Sequence, residues 1–386
     1  MAATHVGCGI EGPTLPRRLQ TSERHTVAEF RILALGGDGI GPEVLASGLK
    51  VARAAARLHA IRLSVSHDLL HGAAWDRWET FCQDETVAAA HAADAVLVGA
   101  VGGPAWDDIR VAGGPERQDG LMRLRRELDT FIGLRPAWHW PQLGDHAPIK
   151  RELANAADLL ILREMCGGIM FAQPRGQTRK DGMRVGFDTA AYNEREVRRF
   201  ACAGFELARA RRSLLVSADK ANVLESSKLW REIVSEIGLE YPDVELRHMY
   251  ADNCAYQMVM NPRQFDVIIG CNLIGDILSD VAGSISGALG LLPSACLGAR
   301  RCGRFKGIFE PVHGSAPDIA GMGAANPVGM VLSVAMMFEY GMCRRDVAQR
   351  IRLATVRAME NGARTPDIGG ESATKDVTEA IVSELG

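Results

Sequence analysis

Six short apolar runs, separated by helical patterns, restrict this chain more than any other feature. They are FRILAL (30–35), AVLVGAV (95–101), DLLILRE (158–164), SLLVSADK (213–220), FDVIIGCN (265–272) and GIFEPV (307–312). Their hydrophobicity is continuous rather than alternating, the mark of strands covered on both faces. Between them GLMRLRREL, REVRRFACAGFELARARR, SKLWREIVSEIG, DILSDVAGSISGALG and PVGMVLSVAMMFEYG read as helices, and Pro42 opens another where its missing N–H costs nothing. Alternating strand and helix predicts an α/β fold with a mainly parallel sheet. No linker, repeat or low-complexity tract divides the 386 residues, so two domains would be intertwined rather than sequential.

Charge excludes some functions. Lys and Arg number 44 against 47 Asp and Glu, a net charge of −3, which argues against a general nucleic-acid binder or a polybasic membrane anchor. No apolar run approaches the ~20 residues needed to span a bilayer. The nine cysteines are scattered without a CxxC, which fits free thiols in a reducing, cytoplasmic setting. Residues 1–28 read as a polar, flexible extension; Arg17, Arg18 and Arg24 hint at a transit peptide, but Glu11 and Glu23 weaken that.

Three groups of residues carry chemistry. Gly36-Gly37-Asp38-Gly39-Ile40-Gly41-Pro42 lies between a strand and a helix, where free N–H groups cradle phosphates. Its spacing is neither G-x-G-x-x-G nor a P-loop, so a tight packing turn fits equally well. Asp276 and Asp280 stand four residues apart on one helix face, and Asp252 is a third candidate. Such carboxylates repel one another unless solvated or bridged by a hard cation, and both readings stay open. Arg125, Arg135 and Arg163 end or follow apolar segments, either as structural ion pairs or as forks for a carboxylate ligand. Lys220 closes the strand SLLVSADK, where a lowered pKa would make it a base and full exposure would make it ordinary.

Taken in order, GDGIGPEV, AVLVGAVGGPAWD, GLMRLRRELDTFIGLRPA, LREMCGGI, PRG, SADKANVLESSKLWRE, GDILSDVAGSISGALGLLPSA and FEPVHGSAPDIAGMGAANP resemble the β-decarboxylating dehydrogenases of the isocitrate/isopropylmalate family, over about residues 30 to 385. The resemblance implies two intertwined α/β domains with a cleft between them and a non-Rossmann cofactor site. A large cofactor-binding domain would comprise residues 29–130 and 287–386, and a small central domain residues 131–286, carrying a dimerisation arm. It implies a homodimer with shared sites, in which Lys220 and Asp252 of one chain face Asp276 and Asp280 of the other. Arg125, Arg135, Arg163, Leu121, Met122 and Asn222 would bind substrate, Lys220 would be the catalytic base, and Asp252, Asp276 and Asp280 would hold Mg²⁺ or Mn²⁺. Glu310, His313, Gly314, Ser315, Ala316, Asp318 and Asn326 would contact NAD, with Asp318 accepting from the ribose hydroxyls and disfavouring NADP. The implied reaction is oxidative decarboxylation of a 2-hydroxy diacid, a 3-substituted malate such as 3-isopropylmalate, in leucine biosynthesis.

Three departures from the family pattern bear on that expectation. Met170 stands at the position of the family tyrosine in R-E-x-x-G-G-I-Y, and a thioether donates no proton. A slower enzyme, a pocket retuned for another diacid (an alkyl- or arylmalate, D-malate, tartrate) and a regulatory paralogue all fit this change. Residues Pro115 to Gly120 displace Glu116 relative to the family's P-E-x-G-L-L. Met322 occupies a position that is often lysine.

Overall fold

The computed structural model describes residues 29–301 and 303–386, so the expected flexible extension over 1–28 lies outside the described residues. Twelve strands form: β1 (Glu29–Gly37), β2 (Arg62–Asp68), β3 (Ala95–Ala100), β4 (Ile132–Trp138), β5 (Asp158–Glu164), β6 (Gly176–Lys180), β7 (Met183–Phe187), β8 (Leu214–Asp219), β9 (Glu245–Tyr250), β10 (Val267–Gly270), β11 (Pro293–Arg301) and β12 (Arg304–Pro311). Ten of them make one sheet in the order β2-β1-β3-β12-β11-β4-β5-β10-β8-β9. Strands from the two ends of the chain occupy one half, and β4, β5, β8, β9 and β10 the other. The remaining pair, β6 and β7, is a separate antiparallel ribbon, exposed along its whole length.

The expected parallel sheet is found on both flanks but not in the middle. The pairings of β12 with β11, β11 with β4 and β4 with β5 are antiparallel. The first of these follows from the connection: β11 runs into β12 through a turn at Gly303, whose φ is +80°, and so short a turn cannot join parallel strands.

Hydrophobic burial explains why these segments pack. Every residue of β3 is buried. The helix Val328–Met336 is buried on all sides and lies against β11, β12 and the helix Gly41–Leu58. That second helix buries an alanine-rich stripe, which permits close approach. Among the described residues no helix is long and apolar enough to cross a membrane.

One cysteine corrects the expectation of free thiols. Cys82, Cys166, Cys254, Cys271, Cys296 and Cys343 are free, whereas Cys202, buried in the helix Glu194–Arg209, is disulfide-bonded. A disulfide needs two sulfurs brought together by the fold, and chain spacing does not reveal that proximity.

Phe309, fully buried in β12 near the centre of the sheet, tests this packing. Phe309→Ala is expected to destabilise the chain by about 3–5 kcal/mol, read as a lower denaturant midpoint at unchanged slope.

Candidate active site

Strand alternation sends Arg135 of β4 and Arg163 of β5 to the same face of the sheet. Arg135 pairs with Ile161 and Arg163 with Gly133, so both side chains stand on the face opposite Leu134 and Leu162. The helix Asn272–Ser286 covers that face and presents Asp276. Arg135 Nη1 donates to Asp276 Oδ1 at 3.1 Å and to Ser279 Oγ at 2.6 Å, and Arg163 Nη1 bonds the same Oδ1. The backbones approach closely enough that a Cβ on Gly275 would lie 2.8 Å from Arg163 Cβ. Asp280, one turn on, lies 4.0 Å from Arg135. Its carboxyl is held above the usual range by burial, with Asp276 adding to and Arg135 opposing the effect.

Arg125, on the helix Gly120–Glu127, joins this group from the other half of the sheet. Its Nη2 donates to Glu310 Oε1 at 2.6 Å, at the end of β12. Burial lowers the Arg163 pKa to about 10, and the charges of Arg135 and Arg125 push the same way. The three arginines therefore sit close enough to repel, with Asp276 and Glu310 as counter-charges. Nε of both Arg125 and Arg135 is buried without a hydrogen-bond partner in the protein.

Lys220, just past the end of β8, donates to Asp252 Oδ1 at 2.7 Å. This pair does not join Asp276 and Asp280 within one chain, and the described residues contain no cluster of three metal-ligating side chains. Lys220 holds the Asp252 carboxyl below its ordinary range. Asn222 is exposed beside it. Exposed apolar side chains lie on the same segments: Val223 and Leu224 follow Lys220, Tyr250, Tyr256, Val259 and Met260 lie on or next to the helix of Asp252, and Leu273 and Ile277 lie on the helix of Asp276.

The glycine cluster forms a turn and not a phosphate cradle of the Rossmann type. Gly37 and Gly39 have φ of +69° and +55°, and a Cβ on Gly39 would meet the Ser315 carbonyl at 2.0 Å. Ile40 N–H donates to that carbonyl at 2.7 Å, so the turn is clamped onto the segment His313–Ala316. Asp38 is the hub. Its buried carboxylate accepts from the backbone N–H groups of Gly72, Ala73 and Gly102 at 3.1, 2.8 and 2.8 Å, and bonds His71 Nδ1 at 3.0 Å. Neither Asp38 nor His71 was singled out by sequence; the hub becomes visible only once three loops converge on it.

The remaining candidates divide by environment. Gly314 and Asp318 are exposed, Ser315 is buried, and Ala316 has a positive φ of 38°. Burial lowers the His313 pKa; its Nδ1 faces the Gly314 carbonyl at 2.9 Å and its Nε2 is buried without a partner. Asn326 is committed within the protein, accepting from Val328 N–H at 3.0 Å and donating to Asp367 at 3.1 Å. Leu121 packs into the core, while Met122 is half-buried. Asp119 caps their helix by accepting from Leu121 and Met122 N–H, and displaced Glu116 pairs with Arg126 at 2.9 Å. Met170 ends the turn Gly168–Met170 half-buried, its carbonyl accepting from Arg175 at 2.6 Å. Met322 is exposed.

An α/β sheet whose two halves meet at three clustered arginines facing paired carboxylates defines an enzyme-like scaffold for a small polyanion. Comparison with known proteins makes the class particular. The family model described as isocitrate/isopropylmalate dehydrogenase matches residues 31–381. The 3-isopropylmalate dehydrogenase of Xanthomonas euvesicatoria pv. vesicatoria (strain 85-10) is 50% identical over 352 residues, 91% of this chain and 97% of that protein. That of Pseudomonas fluorescens (strain Pf0-1) is 48% identical over 360 residues, 92% and 98% of the two chains. Among solved structures, isocitrate dehydrogenase from Methylococcus capsulatus superposes with a TM-score of 0.80 at 32% identity, covering 92% of this chain and 99% of that one. The apo form of a beta-decarboxylating dehydrogenase from Thermococcus kodakarensis gives 0.72 at 31%, covering 92% and 96%. The chain belongs to the isocitrate/isopropylmalate dehydrogenase family.

The Asp38 hub gives a pH test. Burial acts to lower the His71 pKa, but the Asp38 bond and the nearby Asp119 and Asp107 outweigh it, and the net shift is upward. A raised native pKa means the stabilisation is complete below the unfolded value of ~6.5 and is lost as pH rises through the native value. The stability gap between wild type and His71→Asn is expected to shrink as pH rises from 6 to 9, measured by denaturant melts.

Proposed function

We propose that this chain is an NAD- and divalent-metal-dependent 3-isopropylmalate dehydrogenase, acting as a homodimer with shared sites. The observation that carries it is the cluster of Arg125, Arg135 and Arg163 beside Asp276 and Asp280. It combines donors for a dianion with open carboxylate oxygens. Identity of 48–50% to 3-isopropylmalate dehydrogenases along nearly the whole chain supports the same substrate. In this reading residues 29–130 and 287–386 form a large domain and residues 131–286 a small one.

The residues fit both the divalent cation and NAD. Both arginine bonds to Asp276 fall on Oδ1, which leaves Oδ2 open, and Asp280 is only loosely held. These hard oxygens suit Mg²⁺ or Mn²⁺, with Asp252 of a second subunit as the third carboxylate. Asp252 shares a helix face with exposed Tyr256 and Val259, and Asp276 stands beside exposed Leu273 and Ile277. Burying both apolar faces in a dimer would join the two halves of the site. The exposed Asp318 carboxylate and the unpartnered His313 Nε2 fit a ribose and its neighbouring polar atoms in NAD.

When bound, NAD⁺ would supply the acceptor for the C2 hydride, and the divalent cation would supply a Lewis acid for the C2 oxygen. Arg125, Arg135 and Arg163 hold the two carboxylates and fix the orientation of C2 and C3. Lys220 receives the hydroxyl proton as the general base. The β-carboxylate then leaves as CO₂, and C3 takes up a proton. Met170 supplies none, so the last step runs without the family's phenol.

An assay of NADH and CO₂ with Mn²⁺ tests the reading over 3-isopropyl-, 3-methyl- and 3-benzylmalate, D-malate and tartrate. The highest kcat/KM is expected for 3-isopropylmalate, and no turnover of any of them would refute the assignment. NADH without matching CO₂ would mark arrest before decarboxylation, and Met170→Tyr is then expected to restore CO₂ release. Shared sites predict complementation. Lys220→Ala and Asp276→Asn are each inactive, yet mixing and reassociating them in equal amounts returns about a quarter of wild-type activity, because half of the dimers are hybrid and each hybrid holds one intact site.

A further inference from the structure

Behind the arginines lies a buried polar network that none of the roles above uses. Asn272, 1% exposed, opens the helix Asn272–Ser286 just past β10. Its Oδ1 accepts from Arg163 Nε at 2.9 Å, and its Nδ2 donates to the Gly167 carbonyl at 3.1 Å. Its backbone N–H donates to Tyr192 Oη at 2.9 Å, and that hydroxyl donates to Glu164 Oε2 at 3.0 Å. Glu164, also buried, accepts from the N–H groups of Cys166 and Gly167 at 2.9 and 2.8 Å. A Cβ on Gly168 would come within 2.4 Å of Tyr192 Oη, so the turn leading to Met170 has no slack on this side.

The two partners of the Asn272 side chain fix its chemistry. Arg163 Nε–H only donates, so it requires the amide oxygen; the Gly167 carbonyl only accepts, so it requires the amide nitrogen. An amide alone meets both demands at that size. Engaging Nε also leaves the Nη atoms of Arg163 for Asp276 and the cleft, and holds a long side chain in one rotamer before any ligand arrives.

We propose that Asn272 is a positioning residue: it sets the guanidinium of Arg163 for the substrate carboxylate and ties it to the turn Gly168–Met170. This rests on the reading of Arg163 as a substrate arginine. The effect runs through Nε–H, a donor that lysine lacks. Asn272→Ala therefore weakens substrate binding when residue 163 is arginine and leaves it unchanged when residue 163 is lysine.

A double-mutant cycle on the intact protein tests this, with Kd for 3-isopropylmalate measured by calorimetry and kcat/KM alongside. Asn272→Ala is expected to raise Kd about 10-fold or more in the Arg163 background and by less than about twofold in the Arg163→Lys background, with NAD⁺ affinity unchanged. An equal loss in both backgrounds, or a parallel loss of NAD⁺ affinity, would mean a merely structural role and overturn the proposal. Should alanine prevent folding, Asn272→Leu, of similar size and without an acceptor for Arg163 Nε–H, replaces it, and the same pattern across the two backgrounds is expected. A wild type that binds 3-isopropylmalate without oxidising it would overturn the activity, and the cycle on Kd would still decide the role of Asn272. A wild type that does not bind it would overturn both.

Discussion

Asp276 Oδ1 takes hydrogen bonds from two buried guanidinium groups, and the architecture around the candidate site follows from that shared carboxylate. Two arginines on neighbouring strands of an apolar sheet repel and lose hydration, a cost that one carboxylate only partly offsets. The arrangement therefore demands further anionic partners. Asp280 stands one turn away, Glu310 pairs with Arg125, and two buried Nε atoms have no partner in the protein. The three carboxylates match the three arginines in number, but ordered guanidinium donors remain without partners, and donors ordered before a ligand arrives are pre-organised for an anionic one. Removing one member of such a cluster costs about 3–5 kcal/mol where the survivor stays buried. Binding and folding therefore draw on the same side chains.

Geometry at the middle of the sheet makes this possible. The antiparallel contact of β11 with β4 joins the terminal half of the sheet to the central half, and Arg125 approaches Arg135 and Arg163, on β4 and its neighbour β5, across that seam. The glycine turn does a related task on the terminal half. Asp38 draws the segments around Gly72 and Gly102 to one point, and Gly39 allows that point to rest on the Ser315 carbonyl. The segment His313–Ala316 is thus held by backbone contacts and not by its own side chains. Asp318, two residues beyond that segment, is exposed.

Much of the fold was legible because the buried strands are uninterrupted in sequence. All six apolar runs fall on strands, and the helical patterns between them fall on helices. The strands that were missed have physical excuses. β2 lies at one end of the sheet, half-exposed and polar on one side. β4 carries Gly133, Arg135 and Pro136, and β11 carries Pro293, Gly298 and Arg300. Antiparallel pairing and a charged site override strand propensity there. Of the site, residues with a sequence pattern were found: the arginines, the i,i+4 aspartates and Lys220. Asp38, His71, Asn272, Glu164 and Tyr192 were not. Each gains its place from partners far away in the chain, as Asn272 does from Arg163 and Gly167.

The network around Tyr192 also bears on the missing phenol. A tyrosine lies two residues of backbone from Met170 in space, against Gly168, and would be the obvious substitute donor. Its hydroxyl is already committed, donating to Glu164 and accepting from Asn272 N–H. Burial, with the Glu164 charge behind it, raises its pKa well above the ordinary phenol value, which makes proton release harder. Freeing it would break the bonds that hold the turn against Arg163. Tyr192 is therefore spent on geometry. In the proposed reaction the proton for C3 therefore comes from neither the Met170 thioether nor the Tyr192 hydroxyl.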